Sequence, residues 1–577
     1  MRSFAPTDAV ISEGPRGQQA HAAAFEQADR VVRRLTEVRP GVWCLVGNGL
    51  SNQTFIEGPA GLICIDTGES VEEMRAALAE VRTRTAAPLA AVVLTHFHYV
   101  GGTRAVFDEV GAEVPVYGHE RIPFNRQRAS AEIGPAYSRG IVQQFGVVLP
   151  TDGPDGLVGV GLGPFYRNPE HAPFTPGYVD PTEPLPDGAT LEIAGLRVEV
   201  DHAPSDADDS VTLWFPEIGT CVHNLVWPVL FNVYAIRGEE YRDPQVLVAG
   251  IDRLVALGAD HLVGTHGPPI SGREEIRERA TRSRDAIQFL WDQTVRLVNR
   301  GRSADDIAAT VRLPAAADDD YLTAEHYGVT EHHVRQVHAG LRGWFDDEPG
   351  QLLPLPPAER ADRMIAGFGG VAVVRQQAET ALADGDLRWA LELSSWLLHR
   401  TGAEESDRTL VAACLRRIGY RSSAANIRNW CLTRARDLEG TAPLDRFRTH
   451  RISVGQVRSM EPVASVRMLR VLVDPDRAEG LDVRVRFTFA GAEAGGDGPH
   501  AIVGAHLRNS ILAPSDPTDA DADLHLAYSV WAEILGGQRT LAETIAAGDA
   551  VVEGDSALLM RFAGVFDVSG LSGATAR

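Results

Sequence analysis

Four apolar runs between residues 30 and 290 each stop at a polar residue of the kind that binds metals or protons. They are AAVVLTH (90–96), VEVDHAPSD (198–206), TCVH (220–223) and HLVGTH (261–266). Continuous apolar runs that end at polar or Gly-rich clusters predict buried strands with functional loops at their ends. The helical spacing of residues 71–83 between two further strand-like runs makes this region α/β. We therefore expect an αββα sandwich with one polar site at its rim.

The excess of acidic over basic side chains makes some classes of binding partner unexpected. The chain has 577 residues, with 78 acidic and 55 basic side chains and a formal net charge of −23. Nucleic-acid binding needs a basic footprint, so nucleic acid is not an expected partner. No window approaches 18 apolar residues, which predicts no membrane span. Five cysteines without a CxxC pair and an N-terminus without an apolar core predict a cytoplasmic protein without a disulfide framework.

Two further regions follow the strand-rich one. Residues 271–440 show helical spacing, with paired helices that resemble tetratricopeptide-like hairpins. Residues 450–575 open with a period-2 run, LDVRVRFTFAG, and continue as mixed strands and helices. The sequence therefore predicts three domains: a catalytic α/β domain at 30–290, a helical domain at 310–445 and a small α+β domain at 450–575.

The segment LTHFHYVGGT supplies the first candidate metal ligands, His96 and His98. Imidazole is a frequent metal ligand, and both rings can face one point if the strand stops there, as Gly101 and Gly102 indicate. Asp206 lies among four aspartates at the end of another strand. A carboxylate beside two imidazoles completes an N,N,O metal site, although a structural histidine pair and a solvated acidic loop remain the alternatives.

Three more residues are candidates for the same site. His223 and His266 each follow a short apolar strand, and Arg237 precedes a glycine. Histidine can act as a ligand or as an acid or base, and the planar guanidinium of arginine suits a tetrahedral oxyanion. We expect His223 to be a further metal ligand, and Arg237 and His266 to act on the substrate. His266 is alternatively a fourth ligand, and Arg237 a surface residue.

Several stretches resemble the alkyl sulfatase family of the metallo-β-lactamase superfamily. They are TFIEGPAGLICIDTG (54–68), SRGIVQQFGVVLPTDGPDGLVGVGLG (138–163), LFNVYAIRG (230–238) and YLTAEHYGVTEHHVRQVHAGLRGWFDDEPGQLLPLPP (321–357). The last leads into what resembles the alkyl sulfatase dimerisation domain, and residues 450–575 resemble its sterol-carrier-like C-terminal domain. The resemblance thus implies a homodimer whose small-molecule substrate has an anionic head and an apolar tail.

The resemblance also implies two zinc ions and a metal-activated water that cleaves a sulfate ester. His96 and His98 match the HxH histidines, Asp206 falls where the family carries a glutamate, and His266 and Arg237 match a late histidine and the sulfate-holding arginine. The pattern HxHxDHxGG is shortened here to HFHYVGG, and Asn224 stands where a bridging glutamate is expected. The ligands of the second metal are therefore missing, and one metal per chain is expected.

Three functions are compatible with these features. The first is a metal-dependent hydrolase of alkyl sulfates or related esters with one zinc. The second is a redox enzyme on the same scaffold, since two histidines and a carboxylate also form the facial triad of non-haem iron enzymes, and manganese is a further metal for the site. The third is a dimeric lipid-binding protein whose metal site has decayed.

Overall fold

The computed structural model describes residues 4–447, 454–458, 460–490 and 499–567. The chain divides into two compact units, one formed by residues 1–126 with 140–443 and the other by residues 127–139 with 444–577. The first unit opens with a short antiparallel hairpin and one helix, whose bounds are β1 Ile11–Glu13, β2 Gln19–His21 and α1 Ala22–Arg30. The three predicted domain ranges remain predictions.

A seven-stranded sheet follows, with its strands in sequence order. Its strands are β3 Arg34–Arg39, β4 Val42–Val46, β5 Gln53–Gly58, β6 Gly61–Ile65, β7 Leu89–Val93, β8 Val116–Gly118 and β9 Glu183–Pro184. The helices between them are α2 Val71–Val81, α3 Thr103–Val110, α4 Ile122–Ala131 and α5 Gly134–Gln144. The first four strands are antiparallel and the last four run parallel, so β6 and β7 end at the same edge.

A second sheet of six strands completes the sandwich. Its strands are β10 Thr190–Ile193, β11 Leu196–His202, β12 Val211–Phe215, β13 Thr220–His223, β14 His261–Gly264 and β15 Ile270–Ser271, with helix α6 Pro244–Ala256 between β13 and β14. All pairs are antiparallel except β13 and β14, which are parallel. Both β13 and β14 therefore deliver the residues after their ends to one edge of the sheet.

Alternating burial explains why these strands form layers. One face of each sheet contributes to a common apolar core, in which Val42, Ile63 and Val93 pack with Val200 and Leu213. The other faces are covered by helices, and the buried residues of α2 recur at helical spacing. This arrangement confirms the predicted αββα sandwich.

The remainder of the first unit is helical. Helix α7, Arg273–Val298, ends three residues before Gly301, as its pattern predicts. The following helices are α8 Ala304–Thr310, α9 Thr330–Arg342, α10 Pro349–Leu352, α11 Pro357–Gly367, α12 Val371–Asp384, α13 Leu387–His399, α14 Glu405–Arg421 and α15 Ala425–Leu438. The predicted hairpins are present as α12 with α13 and α14 with α15, the first pair turning at Gly385 with a positive φ of 82°.

The second unit is built on a five-stranded sheet with the order β18-β17-β16-β19-β20. Its strands are β16 Val483–Ala490, β17 Pro499–Arg508, β18 Ile511–Ser515, β19 Ala522–Ala527 and β20 Ala550–Gly554. The helices are α16 Val454–Arg458, α17 Pro462–Arg467, α18 Pro475–Ala478, α19 Tyr528–Leu535, α20 Leu541–Ala546 and α21 Ser556–Ala563. Strand β16 alternates between buried and half-exposed residues, which confirms the predicted period-2 strand. Among the described residues, no helix is long and apolar enough to cross a membrane.

Candidate metal centre

Two loops at the shared edge of β6 and β7 position the two predicted histidines. The loop after β6 hydrogen-bonds to the loop after β7 through Thr67 N to Tyr99 O at 2.9 Å and Gly101 N to Gly68 O at 2.8 Å. The loops approach so closely that a Cβ on Gly102 would lie 2.2 Å from the Thr67 carbonyl oxygen. The glycines therefore permit a tight turn directly after the histidines.

His96, His98 and Asp206 form one cluster, as the sequence predicts. Their ligand atoms all lie within 4.8 Å of one another. Asp206 Oδ2 is 3.4 Å from His96 Nε2 and 2.8 Å from His98 Nδ1. Burial opposes the charged form of Asp206, but Arg242 and the two histidines outweigh it and hold the pKa of this carboxyl well below its usual range. Asp206 is therefore an ionised oxygen donor between two imidazoles.

A chain of hydrogen bonds fixes which nitrogen of His96 faces Asp206. The Thr95 hydroxyl donates to the Asp66 carboxylate at 2.8 Å, so its oxygen accepts from His96 Nδ1 at 2.9 Å. In the neutral ring His96 Nε2 then carries the lone pair; burial lowers the pKa of His96, but the Asp206 carboxylate outweighs this effect and raises it, so this nitrogen attracts a cation. A lone pair 3.4 Å from a carboxylate oxygen, both buried, calls for a cation between them.

Arg242 anchors the carboxylate of this cluster from the other side. Its guanidinium forms an ion pair with Asp206 Oδ1, donates from Nε to the Asp206 carbonyl at 3.2 Å and from Nη1 to the Asn232 carbonyl at 2.7 Å. Both side chains of the ion pair are almost fully buried, and the guanidinium also lies over the rings of Trp227 and Phe231. Asp206 is therefore held in one orientation, with its other oxygen turned to the histidines.

His223 is not part of this cluster. Its Nδ1 accepts hydrogen bonds from the main-chain nitrogens of Leu225 at 3.0 Å and Val226 at 3.3 Å, and burial lowers its pKa to about 3. The next residue, Asn224, lies beside His96 instead, with its amide nitrogen 3.4 Å from His96 Nδ1. The structure thus brings three of the four predicted ligands together and places Asn224, rather than His223, at the site.

His266 lies at the same end of the sandwich but is bound to other groups. Its Nδ1 donates to the Leu50 carbonyl at 3.1 Å, and its Nε2 accepts from the Tyr99 hydroxyl at 3.3 Å. Burial lowers the pKa of His266 to about 4 and raises that of Tyr99 well above 10. The pair is therefore a neutral imidazole that accepts a hydrogen bond from a protonated tyrosine.

Arg237 reaches the cluster through a carboxylate. Its guanidinium forms an ion pair with Glu239, and Glu239 Oε2 lies 3.8 Å from His98 Nε2. The guanidinium is also 5.9 Å from the centre of the Phe145 ring. Arg237 is therefore linked to the candidate metal ligands through Glu239, and its charge is already partnered.

Thr95, Glu239 and Arg242 are residues of the site that were not found from the sequence. Glu239 and Arg242 lie in RGEEYRD, a loop whose charged residues have the pattern of a solvated surface and no periodicity. Arg242 is buried because Asp206 and the Trp227 ring surround it, which only the tertiary structure shows.

Comparison with known proteins matches three family models along the chain. They are the metallo-beta-lactamase superfamily at residues 46–213, alkyl sulfatase dimerisation at 303–441 and alkyl sulfatase C-terminal at 451–570. The first of these matches and the sandwich define the class: the protein has the metallo-β-lactamase fold, whose members use divalent metals.

Full-length relatives narrow this class. A linear primary-alkylsulfatase of Pseudomonas sp. is 34% identical over 529 residues, which cover 89% of this chain and 98% of the relative. An alkyl/aryl-sulfatase of Saccharomyces cerevisiae is 27% identical and covers 93% of this chain and 83% of its own length. The solved structure of a stereoselective inverting sec-alkylsulfatase from Pseudomonas sp. superposes with a TM-score of 0.83 at 27% identity, covering 95% of this chain and 87% of that one. This chain belongs to the alkyl sulfatase family.

The donor set of this cluster fits a divalent metal. His96 Nε2 and Asp206 Oδ2 present buried lone pairs to each other, and His98 completes a group of three. For a second metal, Asn224 offers an amide in place of a carboxylate, and His266 Nε2 accepts from Tyr99. No other group of His, Cys, Asp and Glu in the described part of the first unit meets the same distance criterion.

Proposed function

We propose that the chain is a metal-dependent hydrolase that cleaves alkyl sulfate esters to an alcohol and sulfate, with one metal per chain. The observation that carries this proposal is the buried cluster of His96, His98 and Asp206 in a chain of the alkyl sulfatase family. The relatives are named as alkylsulfatases over nearly the whole length, which supports the same substrate class here. The redox and lipid-binding alternatives have no such support.

The first residues to act are those that hold the metal. His96, His98 and Asp206 would bind it, Thr95 would keep the His96 ring turned, and Arg242 would keep Asp206 in place. A divalent metal at such a site acts as a Lewis acid and lowers the pKa of bound water toward 7. Two imidazoles and one carboxylate occur in both catalytic zinc sites and non-haem iron sites, and because hydrolysis needs a Lewis acid and no redox change, we propose zinc rather than iron or manganese.

Arg237 is the residue that would hold the anionic head of the substrate. Its planar guanidinium suits a tetrahedral sulfate, and it lies beside Glu239 and His98. The negative charge that develops on the sulfate oxygens during cleavage would be stabilised by this cation. The sulfate would have to compete with Glu239 for the guanidinium.

Tyr99 and His266 would accept the proton that the attacking water loses. His266, with a pKa of about 4, is unprotonated at neutral pH, and its Nε2 already accepts from Tyr99. A proton leaving the attacking water can pass to the Tyr99 oxygen while the Tyr99 hydroxyl proton passes to His266 Nε2. His266 is thus proposed as a proton acceptor rather than as a fourth ligand.

The test combines metal analysis with an activity assay. Purified protein is expected to hold one zinc per chain and to release sulfate from octyl sulfate, and His96→Ala is expected to lose both. His261→Ala is the matched control, because His261 is half-buried and contacts Ser271 at the far end of β14. One iron per chain would favour redox chemistry, two zincs would contradict the mononuclear site, and a metal-free protein would contradict the proposal.

We also propose that the chain forms a homodimer through residues 341–355. This segment lies within the range matched by the dimerisation model, and it exposes Trp344 to 75% and Leu353 to 90% of their surfaces. Leu341, Leu352 and Leu355 are exposed in the same segment, and a group of large exposed apolar side chains marks an interaction site. The double variant Trp344→Glu with Leu353→Glu is expected to be monomeric by light scattering. The double variant Ile511→Glu with Val551→Glu adds the same charge at exposed residues of the second unit and is expected to remain dimeric.

A further inference from the structure

The anion-binding arginine of the site is already paired with a carboxylate of its own loop. The Arg237 and Glu239 side chains form an ion pair and are only 7% and 12% exposed, so water screens them weakly. Glu239 is also 3.8 Å from His98 Nε2. Any anion that reaches Arg237 beside the metal ligands therefore comes close to a fixed negative charge.

The charged side chains around Arg237 and the candidate metal ligands limit how much further negative charge the site can bind. Arg242 is balanced by Asp206 and Arg237 by Glu239, so neither guanidinium offers a full positive charge. Burial raises the pKa of three further carboxyls near the two histidines, Asp66, Glu69 and Asp209, so additional negative charge is disfavoured here. One divalent metal brings two positive charges, whereas a two-metal centre would bring four. The site has little positive charge left for a doubly charged ligand.

We propose that Glu239 is a specificity-determining residue that selects a singly charged head group over a doubly charged one. This inference rests on the proposed function, because it names the charge of the substrate at that site. A sulfate monoester carries one negative charge, whereas a phosphate monoester, with a second pKa near 6, carries about two at pH 8. Glu239 repels both, and it repels the dianion by one further charge–charge interaction.

The size of this effect follows from Coulomb's law in a partly buried site. With an effective dielectric constant of about 20 and a separation of several ångströms, one extra charge–charge interaction changes a binding constant by about tenfold or more. Both ligands must displace Glu239 from Arg237 at the same cost in free energy, so this cost cancels in the ratio of their affinities. The ratio therefore isolates the repulsion by Glu239.

The experiment compares two amphiphiles that share one tail. Octanesulfonate carries one negative charge and octyl phosphate about two at pH 8, and the binding of each to the metal-loaded protein is measured by titration calorimetry below its micelle concentration. Wild type is expected to prefer the sulfonate. Glu239→Gln is expected to reduce this preference about tenfold or more, and Glu239→Ser, a second neutral variant, to reduce it by a similar factor if the glutamine variant does not fold.

Two controls separate charge from structure. Glu239→Asp keeps the charge and is expected to keep the preference of wild type, as is Glu240→Gln, which removes a charge from the exposed neighbouring residue. An unchanged preference in both neutral variants, or an equal change in Glu240→Gln, would overturn the proposal. So would a wild type that binds neither amphiphile.

This outcome is independent of turnover, so it can be told apart from a failure of the proposed hydrolysis. A protein that shows the expected change of preference but releases no sulfate from octyl sulfate would keep the assignment of Glu239 and contradict the hydrolase. A protein that releases sulfate but shows no change of preference would keep the hydrolase and contradict the assignment.

Discussion

Replacing Arg242 with methionine tests whether this residue holds the metal-binding carboxylate in place. Arg242 and Asp206 are 3% and 4% exposed, so the substitution leaves an ionised carboxylate buried without its cation. Breaking a buried ion pair by removing one partner costs about 3–5 kcal/mol. We therefore expect Arg242→Met to lower the free energy of unfolding of the metal-free protein by about that amount.

The assay is urea denaturation of chelator-treated protein at pH 7, where Asp206 is ionised. Arg253→Met is the matched control, because Arg253 pairs with Asp201 at 2.8 Å but the two side chains are 50% and 38% exposed. Such exposed pairs contribute at most about 1 kcal/mol.

The double variant Arg242→Met with Asp206→Leu provides a second test of the same reasoning. Replacing both charges by apolar groups leaves no uncompensated charge, so the double variant is expected to be more stable than Arg242→Met alone. The reasoning is refuted if Arg242→Met destabilises the protein no more than Arg253→Met, or if the double variant shows no recovery.

Three further outcomes are expected. Thr95→Val removes the oxygen that accepts from His96 Nδ1 and should weaken metal affinity about 10–100-fold, measured in competition with a chromophoric chelator. An unchanged affinity would contradict the positioning role of Thr95. Tyr99→Phe should lower kcat on octyl sulfate about 100-fold or more at unchanged metal content, and an unaffected kcat would exclude the proton path. His223 titrates near 6.5 when unfolded and at about 3 when folded, so only the unfolded chain gains its proton as the pH falls below 6.5. Because of this residue, the free energy of unfolding should fall by at most about 1.4 kcal/mol for each pH unit below 6.5. In urea titrations between pH 6.5 and 5, His223→Asn should therefore lose stability less steeply than wild type. An equally steep loss would contradict the low pKa of folded His223.

The sandwich and three of the candidate ligands could be predicted from the sequence because they depend on local pattern. Apolar runs of strand length ended at polar residues, and parallel strands bring the residues after their ends to one edge. His96 and His98 follow β7, in the parallel part of one sheet, and Asp206 follows β11 of the other sheet, and their ligand atoms lie within 4.8 Å of one another. The resemblance to alkyl sulfatases added the order of the three regions, which the family models match.

The remaining features depended on details that pattern does not contain. His223 and Asn224 are adjacent at the end of β13, and main-chain nitrogens after the strand bind the histidine, which leaves the asparagine beside His96. Glu239 and Arg242 belong to a loop without periodicity, and their burial comes from residues distant in sequence. A sequence pattern cannot separate such residues from a solvated charged surface.

The close contact of the loops after β6 and β7 has a consequence for how this centre can change by mutation. Relative to the alkyl sulfatase pattern, the loop after β7 lacks two residues, and it is joined to its neighbour by Thr67 N to Tyr99 O and Gly101 N to Gly68 O. Inserting an Asp-His pair into the loop after β7 would shift the residues on one side of the insertion by up to the length of two extended residues. The two hydrogen bonds that join the loops would then be lost. A centre with two metals would therefore require both loops to be rebuilt together, as well as a carboxylate in place of Asn224, so no single substitution in this chain would create one.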